Sequence, residues 1–467
     1  MKQNILLSFV LLFICSIANA QENTRLSLDE AVNYALQNSL SVQNSKLETL
    51  DAEQQIKERL SIGLPKLSAS LGYNYYLEIP TSILPPFFPE SDIAFAQNSN
   101  PAGQPIPIQV TRLDANGEPV FGDAQEIQFG LKHNATAGIQ LQSLLFDWTY
   151  LTGVRAAKEF RNYKQEELKV VERTVRNQVI DAYLPSLILR ENVSILDSNL
   201  LNLKRLKFET EESYKAGFVE QLDVDRLTLS ISNLEVSREA LTRQQETVEN
   251  ALKLAMNMSP DADITLTDNI DDLLSEISAE DLTGTIDLSK RPEIGVIDKG
   301  IDLADLNIEV NKAGYYPSFS GFFNYQQQYQ GDKLTDGNWF PVSLIGLQAN
   351  IPIYSGGFRK TQVERAKILK ETNLLQKKQF ENGTTLEIQT ARVNYLSAKE
   401  RLVNQQENVD LAKRIYETTK IKYKEGVGSS IEITSAEQQL YQTQQSYTTA
   451  LYDLLVAKFA VEKAIGR

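Results

Sequence analysis

The sequence predicts a mostly helical protein that also contains four amphipathic β-strands. Three observations support this fold class. Two segments of about 70 residues have an unbroken helical pattern. Four shorter segments alternate apolar with small polar residues. Each half of the chain contains two of these shorter segments followed by one long helical segment. Such an internal duplication predicts two structural repeats with the same order of elements.

The long helical segments cover residues 147–214 and 357–423. At about 1.5 Å per residue, each helix would be roughly 100 Å long. Apolar residues recur in them at alternating steps of three and four, which predicts coiled-coil packing, antiparallel across the turn that follows each helix. Pro185 lies inside the first segment and should kink the helix or mark a local defect.

The four predicted strands each have one apolar face. The apolar faces consist of Leu67, Ala69, Leu71, Tyr73, Tyr75 and Leu77; Ala135, Ala137, Ile139 and Leu141; Phe319, Phe323 and Tyr325; and Ile345, Leu347, Ala349 and Ile351. The opposite faces are Ser, Gly, Asn and Gln with few charges, which suits a water-filled lumen. A proline-rich stretch, residues 78–126, separates the first two strands and is predicted to be a long exposed loop.

The composition excludes several classes of function. The chain of 467 residues has one histidine (His133), three methionines and one cysteine (Cys15), so a metal centre has few ligands and histidine-dependent catalysis has almost no base. We therefore predict no catalytic residues, no cofactor and no metal. The net charge of −14 argues against binding to nucleic acid.

The predicted domain organisation follows the duplication. Residues 1–20 have a positive start, a short apolar run and an Ala-Asn-Ala cleavage site, which is typical of a secretory signal peptide. Residues 21–259 form the first repeat and 287–467 the second, each with a helix, a strand–loop–strand unit and a long helical hairpin. Residues 260–286 are acidic and irregular and are predicted to be a linker.

Four strands are too few to close a membrane barrel, and an open sheet would leave edge amides unpaired in lipid. The sheet is therefore predicted to be shared between identical copies. Two copies would supply eight strands, enough for a barrel filled with side chains, and three would supply twelve, enough for a lumen.

The pattern Tyr-Lys-x-Gly occurs at Tyr214 and again at Tyr423, each time between two helical segments. Gly217, and Gly426 with Gly428, provide the backbone freedom that a tight reversal needs. We therefore predict that each long helix turns back on itself at one of these sites.

Taken together, these motifs resemble the TolC-like outer-membrane efflux channel family. The resemblance rests on "LSLDEAVNYALQNS", "GLPKLSASLGYNY", "PIYSGGFRKTQVERAK" and the two Tyr-Lys-x-Gly turns, in this order. It implies a homotrimer in the outer-membrane lipid of a Gram-negative bacterium, with a twelve-stranded β-barrel continued by an α-helical periplasmic tunnel. It further implies a passive exit duct for efflux or type I secretion, which contacts a periplasmic adaptor protein and an inner-membrane RND or ABC transporter.

The resemblance also implies roles for the turns. The adaptor-docking tips would be Gly217, Phe218, Val219, Gly426, Val427, Gly428 and Ser429. The periplasmic aperture would be lined by Glu432, Asp223 and Asp225, although a second acid of the family pattern is replaced by Ser435. Two alternatives stay open: Glu432 could be a solvated acid that favours the helix start, and the whole chain could be a structural or adhesive trimeric coiled coil that conducts nothing.

Overall fold

The computed structural model describes residues 24–84, 89–96, 106–123, 125–128, 130–274, 277–284 and 287–466. The predicted signal peptide lies outside these residues. The helices are α1 Leu28–Asn38, α2 Leu40–Ile62, α3 Trp148–Lys215, α4 Gln221–Ala255, α5 Ile270–Leu273, α6 Ala279–Thr283, α7 Pro292–Ala313, α8 Phe358–Lys424 and α9 Ser430–Ile465. The strands are β1 Thr24–Leu26, β2 Lys66–Tyr75, β3 Thr81–Leu84, β4 Ser91–Ala96, β5 Ile106–Thr111, β6 Gln125–Gln128, β7 His133–Phe146, β8 Ile264–Leu266, β9 Ser318–Gly331 and β10 Gly337–Asn350.

The chain separates into two compact units. The helical unit consists of the described parts of Met1–Arg59, Leu151–Ala313 and Gly356–Arg467. The sheet unit consists of the described parts of Leu60–Tyr150 and Gly314–Ser355. Both units therefore draw on both predicted repeats, and the division of the chain into repeats stays a prediction.

The two long helices are α3 and α8, and the predicted bounds are correct to within one residue. Asp147 caps the start of α3, because its Oδ1 accepts hydrogen bonds from the backbone N of Thr149 (2.6 Å) and of Tyr150 (3.1 Å). Pro185 lies inside α3, which continues across it without a break. None of the helices in the described ranges has an apolar stretch long enough to cross a bilayer.

The predicted heptad residues form the contacts between the helices. Close to the two turns, α3, α4, α8 and α9 share one buried cluster. Its members are Leu196, Leu200, Leu203 and Leu206 of α3, Leu227, Ile231 and Leu234 of α4, Ala412 and Tyr416 of α8, and Ile433, Ala436 and Leu440 of α9. The coiled-coil prediction is confirmed, and the two helical hairpins pack against each other as well as within themselves.

The segment that was predicted to be irregular contains short regular elements. β8 pairs in parallel with β1 near the start of the described chain. Next to this pair, the Asp268 carboxylate accepts a hydrogen bond from the backbone N of Leu28 (2.7 Å), and the buried Tyr183 hydroxyl lies 3.0 Å from the same oxygen. Residues 260–274 are thus fixed to α1 and α3 rather than forming a free linker.

The sheet unit contains a four-stranded antiparallel sheet in the order β10–β9–β7–β2. Its register places the four predicted apolar faces on one side: Leu71 lies opposite Ala137, Ile139 opposite Tyr325, and Ile345 opposite Phe323. Many of these apolar side chains are exposed, among them Leu67, Leu71, Tyr73, Ile345 and Leu347. Among the described residues, β2 and β10 are each paired on one side only.

The opposite face of the sheet is less polar than predicted. Phe322, Phe340, Val342 and Leu344 lie on it, next to the predicted Ser, Asn and Gln residues. The ring of Phe322 covers Gly346 on the neighbouring strand, where an added Cβ would lie 2.6 Å from the ring. Phe322 lies inside the predicted stretch and interrupts its alternation, whereas Phe340, Val342 and Leu344 lie before the stretch that was predicted to begin at Ile345.

The predicted loop at residues 78–126 contains strands. β3 pairs with β6 and β4 pairs with β5, both antiparallel. Beside the second pair, Arg112 just after β5 and Glu90 just before β4 form an exposed ion pair (3.1 Å). The prolines in the described part of this segment lie beside strands, in isolated bridges or near the start of a strand, where a missing backbone donor is tolerated: Pro80, Pro89, Pro107 and Pro119. The segment predicted to be a long exposed loop therefore contains short strands, and most of its described residues are exposed.

The buried cluster near the turns leads to a stability prediction. Leu200 is 5% exposed and its neighbour Leu201 is 63% exposed. We expect Leu200→Ala to destabilise the helical unit by about 2–5 kcal/mol, because it leaves a cavity between packed helices. Leu201→Ala is the matched control and should change stability by about 0.5 kcal/mol or less. Thermal unfolding followed by circular dichroism in detergent measures both, and equal losses would contradict the assigned burial.

Candidate functional site

The two Tyr-Lys-x-Gly turns have the same backbone structure. Gly217 and Gly426 both have a positive φ, of 80° and 74°. After α3, Gly217 N donates to Tyr214 O (2.9 Å) and Phe218 N to Ser213 O (2.9 Å). After α8, Gly426 N donates to Tyr423 O (3.1 Å) and Val427 N to Lys422 O (3.0 Å). Each turn is a Schellman cap, in which the left-handed residue is glycine because a Cβ is disfavoured there.

The helices that follow the turns also begin in equivalent ways. Their N-cap residues are Glu220 and Ser429, each three residues after the turn glycine. The acids Asp223 and Glu432 therefore occupy the same position, in the first turn of α4 and of α9, where the helix dipole favours negative charge. The predicted reversals at both turns are confirmed.

The two acids differ in what their carboxylates contact. Asp223 Oδ2 accepts a hydrogen bond from Glu220 N (3.2 Å), so it caps its own helix. In the second turn, Ser429 Oγ accepts the bond from Glu432 N (3.3 Å) and takes over the capping role. The Glu432 carboxylate is exposed and makes no hydrogen bond or ion pair with any described residue. Asp225 is exposed and accepts a hydrogen bond from Gln221 Nε2 (2.9 Å).

Side chains from the two hairpins hold the turns together. Lys424 of the second turn forms an ion pair with Glu209 of α3 (2.5 Å). Arg226 of α4 donates a hydrogen bond to Ser430 Oγ at the start of α9 (2.8 Å). Both turns, with the acids that follow them, therefore lie at the same end of the helical unit.

The turns present apolar side chains to solvent. Phe218 is 84% exposed and Val427 is 78% exposed, and they occupy the same position after the turn glycine. Val219 and Gly428 are half-buried, whereas Ser429 is exposed. All the predicted tip residues thus belong to one continuous end of the helical unit, with an exposed apolar residue in each turn.

One acidic residue of this region was missed by the sequence analysis. Glu437 of α9 is 8% exposed, and burial raises its pKa to about 7. It lies eleven residues after Gly426, and Thr228 occupies the equivalent position after Gly217. A comparison of the two repeats would have found this difference, but not the burial, because Glu437 lies beside the heptad seam rather than on it.

The fold is that of solved outer-membrane channels. The structure of VceC from Vibrio cholerae matches it with a TM-score of 0.64, over 94% of this chain and 96% of that chain, at 16% identity. The sequence profile of the family described as "Outer membrane efflux protein" matches residues 287–467. Residues 287–467 are thus similar to the outer-membrane efflux proteins, and the fold over nearly the whole chain is similar to that of TolC-like channels. The names of its curated relatives describe those proteins as outer-membrane proteins of efflux pumps.

Curated members of the TolC-like family are distant relatives. The probable efflux pump outer membrane protein SepC of Pseudomonas putida is 23% identical over 55% of this chain and 53% of its own length. The outer membrane efflux protein BepC of Brucella suis is 23% identical over 71% of this chain and 72% of its own length. The chain thus spans about half the length of the first curated relatives that it matches.

The shared backbone of the turns leads to a second prediction. In this TolC-like chain, we expect Gly217→Ala and Gly426→Ala each to destabilise the protein by about 1 kcal/mol or more, because alanine is strained in the left-handed region. Gly383 lies inside α8 with nothing within 4 Å of an added Cβ. Gly383→Ala is therefore the matched control and should stabilise by about 0.5–1 kcal/mol. Thermal unfolding in detergent measures all three, and a stabilising Gly426→Ala would refute the left-handed cap.

Proposed function

We propose that this chain is the outer-membrane exit duct of a tripartite efflux or type I secretion system. It would pass small molecules or polypeptides from an inner-membrane pump and a periplasmic adaptor to the outside, without catalysis of its own. The observation that carries the proposal is the four-stranded sheet, which has an exposed apolar face and two edges without a partner strand in the described part of the chain.

The unpaired edges argue for a shared barrel. In hydrocarbon, each backbone N–H or C=O without a hydrogen bond costs several kcal/mol, so an open sheet is not stable there. Strands β2 and β10 can satisfy each other only if they come from different copies. Three copies would close twelve strands around a lumen, with the exposed leucines and tyrosines towards lipid and the Ser, Asn and Gln residues towards water. We therefore propose a homotrimer.

The long helices support a conduit through the periplasm. A straight α-helix of 68 residues, the length of α3, is roughly 100 Å long. Four helices from each of three copies would supply twelve helices for a tunnel wall. Leucines on α8 are exposed in a single copy, which is the pattern expected if neighbouring copies cover them: Leu369, Leu375, Leu386 and Leu396.

The turns are proposed as the contact with the adaptor. Phe218 and Val427 are exposed apolar residues on turns that are held by Schellman caps, so they can be buried by a partner without reordering the backbone. An RND or ABC transporter in the inner membrane would supply the energy for transport.

We also propose that Glu432 lines the periplasmic aperture. Its carboxylate is free of contacts with described residues, whereas the equivalent Asp223 is engaged in capping. Three Glu432 carboxylates around one axis would repel one another and attract cations. Asp223 and Asp225 would add charge next to this ring.

The duct itself can be tested on the purified, processed chain. We expect heat-resistant trimers on gel electrophoresis and single-channel currents after insertion into planar lipid bilayers. Trimers that insert without conducting would refute the duct and favour the structural or adhesive alternative. A chain that stays a monomer without detergent would refute the shared barrel.

The aperture can be tested with one substitution. Glu432→Ala should weaken block of the channel by multivalent cations added on the periplasmic side by roughly tenfold or more, because three charges are removed from a narrow ring. Glu407→Ala is the control, since Glu407 is exposed on α8 and lies outside the turns. Unchanged block in Glu432→Ala would mean that this residue only favours the start of α9.

A further inference from the structure

A groove lies between α4 and α9, just behind the turns. It has a volume of about 450 Å³. Its walls are partly apolar, from Leu229 and Leu234 of α4 and from Ile431 and Tyr441 of α9, and Arg226 and Glu437 also line it. The size and the mixture of apolar and polar groups are typical of a site for a small organic molecule.

The Glu437 carboxyl faces this groove without a partner. It is 8% exposed and makes no hydrogen bond or ion pair with any described residue. Burying an acid in this way is costly unless a counter-charge or a donor compensates it. The Thr228 that stands in its place in the first repeat is satisfied locally, because its hydroxyl donates to Val224 O (2.8 Å).

The charged and titratable groups around Glu437 do not neutralise it. From α8, Tyr416 approaches with a buried hydroxyl that has no hydrogen-bond partner among the described residues, and Lys420 lies over the Tyr416 ring (5.7 Å). On α9 itself, Tyr441 accepts a hydrogen bond from Gln445 (2.5 Å). From α4, Arg226 donates to Ser430. No cation in the described part of the chain forms an ion pair with Glu437.

We propose that this groove binds a small organic cation with an apolar body, whose ammonium group pairs with the Glu437 carboxylate. The ammonium would supply the missing donor and counter-charge, and Leu229, Leu234, Ile431 and Tyr441 would contact the hydrocarbon part. An anion is disfavoured by the same carboxylate. A metal ion is disfavoured because the groove offers a single carboxylate and no histidine or cysteine.

The proposal does not depend on the duct function. The groove lies within the helical unit of one chain. Binding can therefore be measured on the full processed chain in detergent, with no pump, adaptor or lipid bilayer. A failed conductance experiment would leave it intact, and a failed binding experiment would leave the duct intact.

Benzylammonium is a suitable probe, with benzyl alcohol as its neutral analogue of similar shape. We expect isothermal titration calorimetry to show saturable binding of benzylammonium that is roughly tenfold or more tighter than that of benzyl alcohol. Glu437→Gln should remove this preference, so that the two probes bind equally weakly. Glu437→Asp, which keeps the charge, should retain the preference, and Glu407→Gln is the exposed control that should bind as the original chain does.

The pH dependence gives a second readout. Because burial raises the pKa of Glu437 to about 7, protonation should weaken benzylammonium binding roughly tenfold between pH 8 and pH 6. Glu437→Gln should show no such change, and its circular dichroism spectrum verifies that it is folded. Equal binding of both probes to the original chain, or unchanged benzylammonium binding in Glu437→Gln, would overturn the proposal. The absence of any saturable binding would also overturn the proposal, and would mean that a proton and water alone compensate the burial of the carboxyl.

Discussion

The structure of the helical unit depends on two chain reversals at left-handed glycines. Most of the stability of a helix in a protein comes from packing its apolar stripe against other elements. The 68-residue helix α3 therefore needs an antiparallel neighbour to bury its stripe. Gly217 and Gly426 allow α3 and α8 to end within one residue and the chain to turn back. Without the reversal, the leucines of α3 would have no leucines of α4 to meet, and the cluster shared by all four long helices would not form.

The sheet unit is constrained by its own backbone. One face is apolar over four strands, and both edges have unpaired N–H and C=O groups in the described part of the chain. In a single copy, the exposed apolar face is unfavourable in water and the unpaired edges are unfavourable in lipid. The helical unit is incomplete in a milder way, since exposed leucines remain on its surface. Both features support the proposed assembly from identical copies.

The two turns share their backbone structure but differ in the acids that follow them. Six residues after the turn glycine, Asp223 caps its own helix, whereas Glu432 is exposed because Ser429 caps α9 instead. Eleven residues after the turn glycine, the Thr228 hydroxyl donates a hydrogen bond within its own helix, whereas Glu437 is buried and has no partner among the described residues. The two hairpins thus share one scaffold, and a few residue differences leave the Glu432 and Glu437 carboxylates without a hydrogen bond or ion pair to any described residue.

The sequence by itself determined the features that depend on neighbouring residues: the bounds of α3 and α8, the two Schellman turns, and the apolar face of each strand. These follow from periodicity and from the steric freedom of glycine, which act over a few residues. The contacts between residues that are distant in the sequence were decided only by the tertiary structure. They include the pairing of β1 with β8, the ion pair of Lys424 with Glu209, and the strand pairs inside residues 78–126. The burial of Glu437 belongs to this second group, because it depends on how α4 and α8 lie against α9, and no local pattern specifies that.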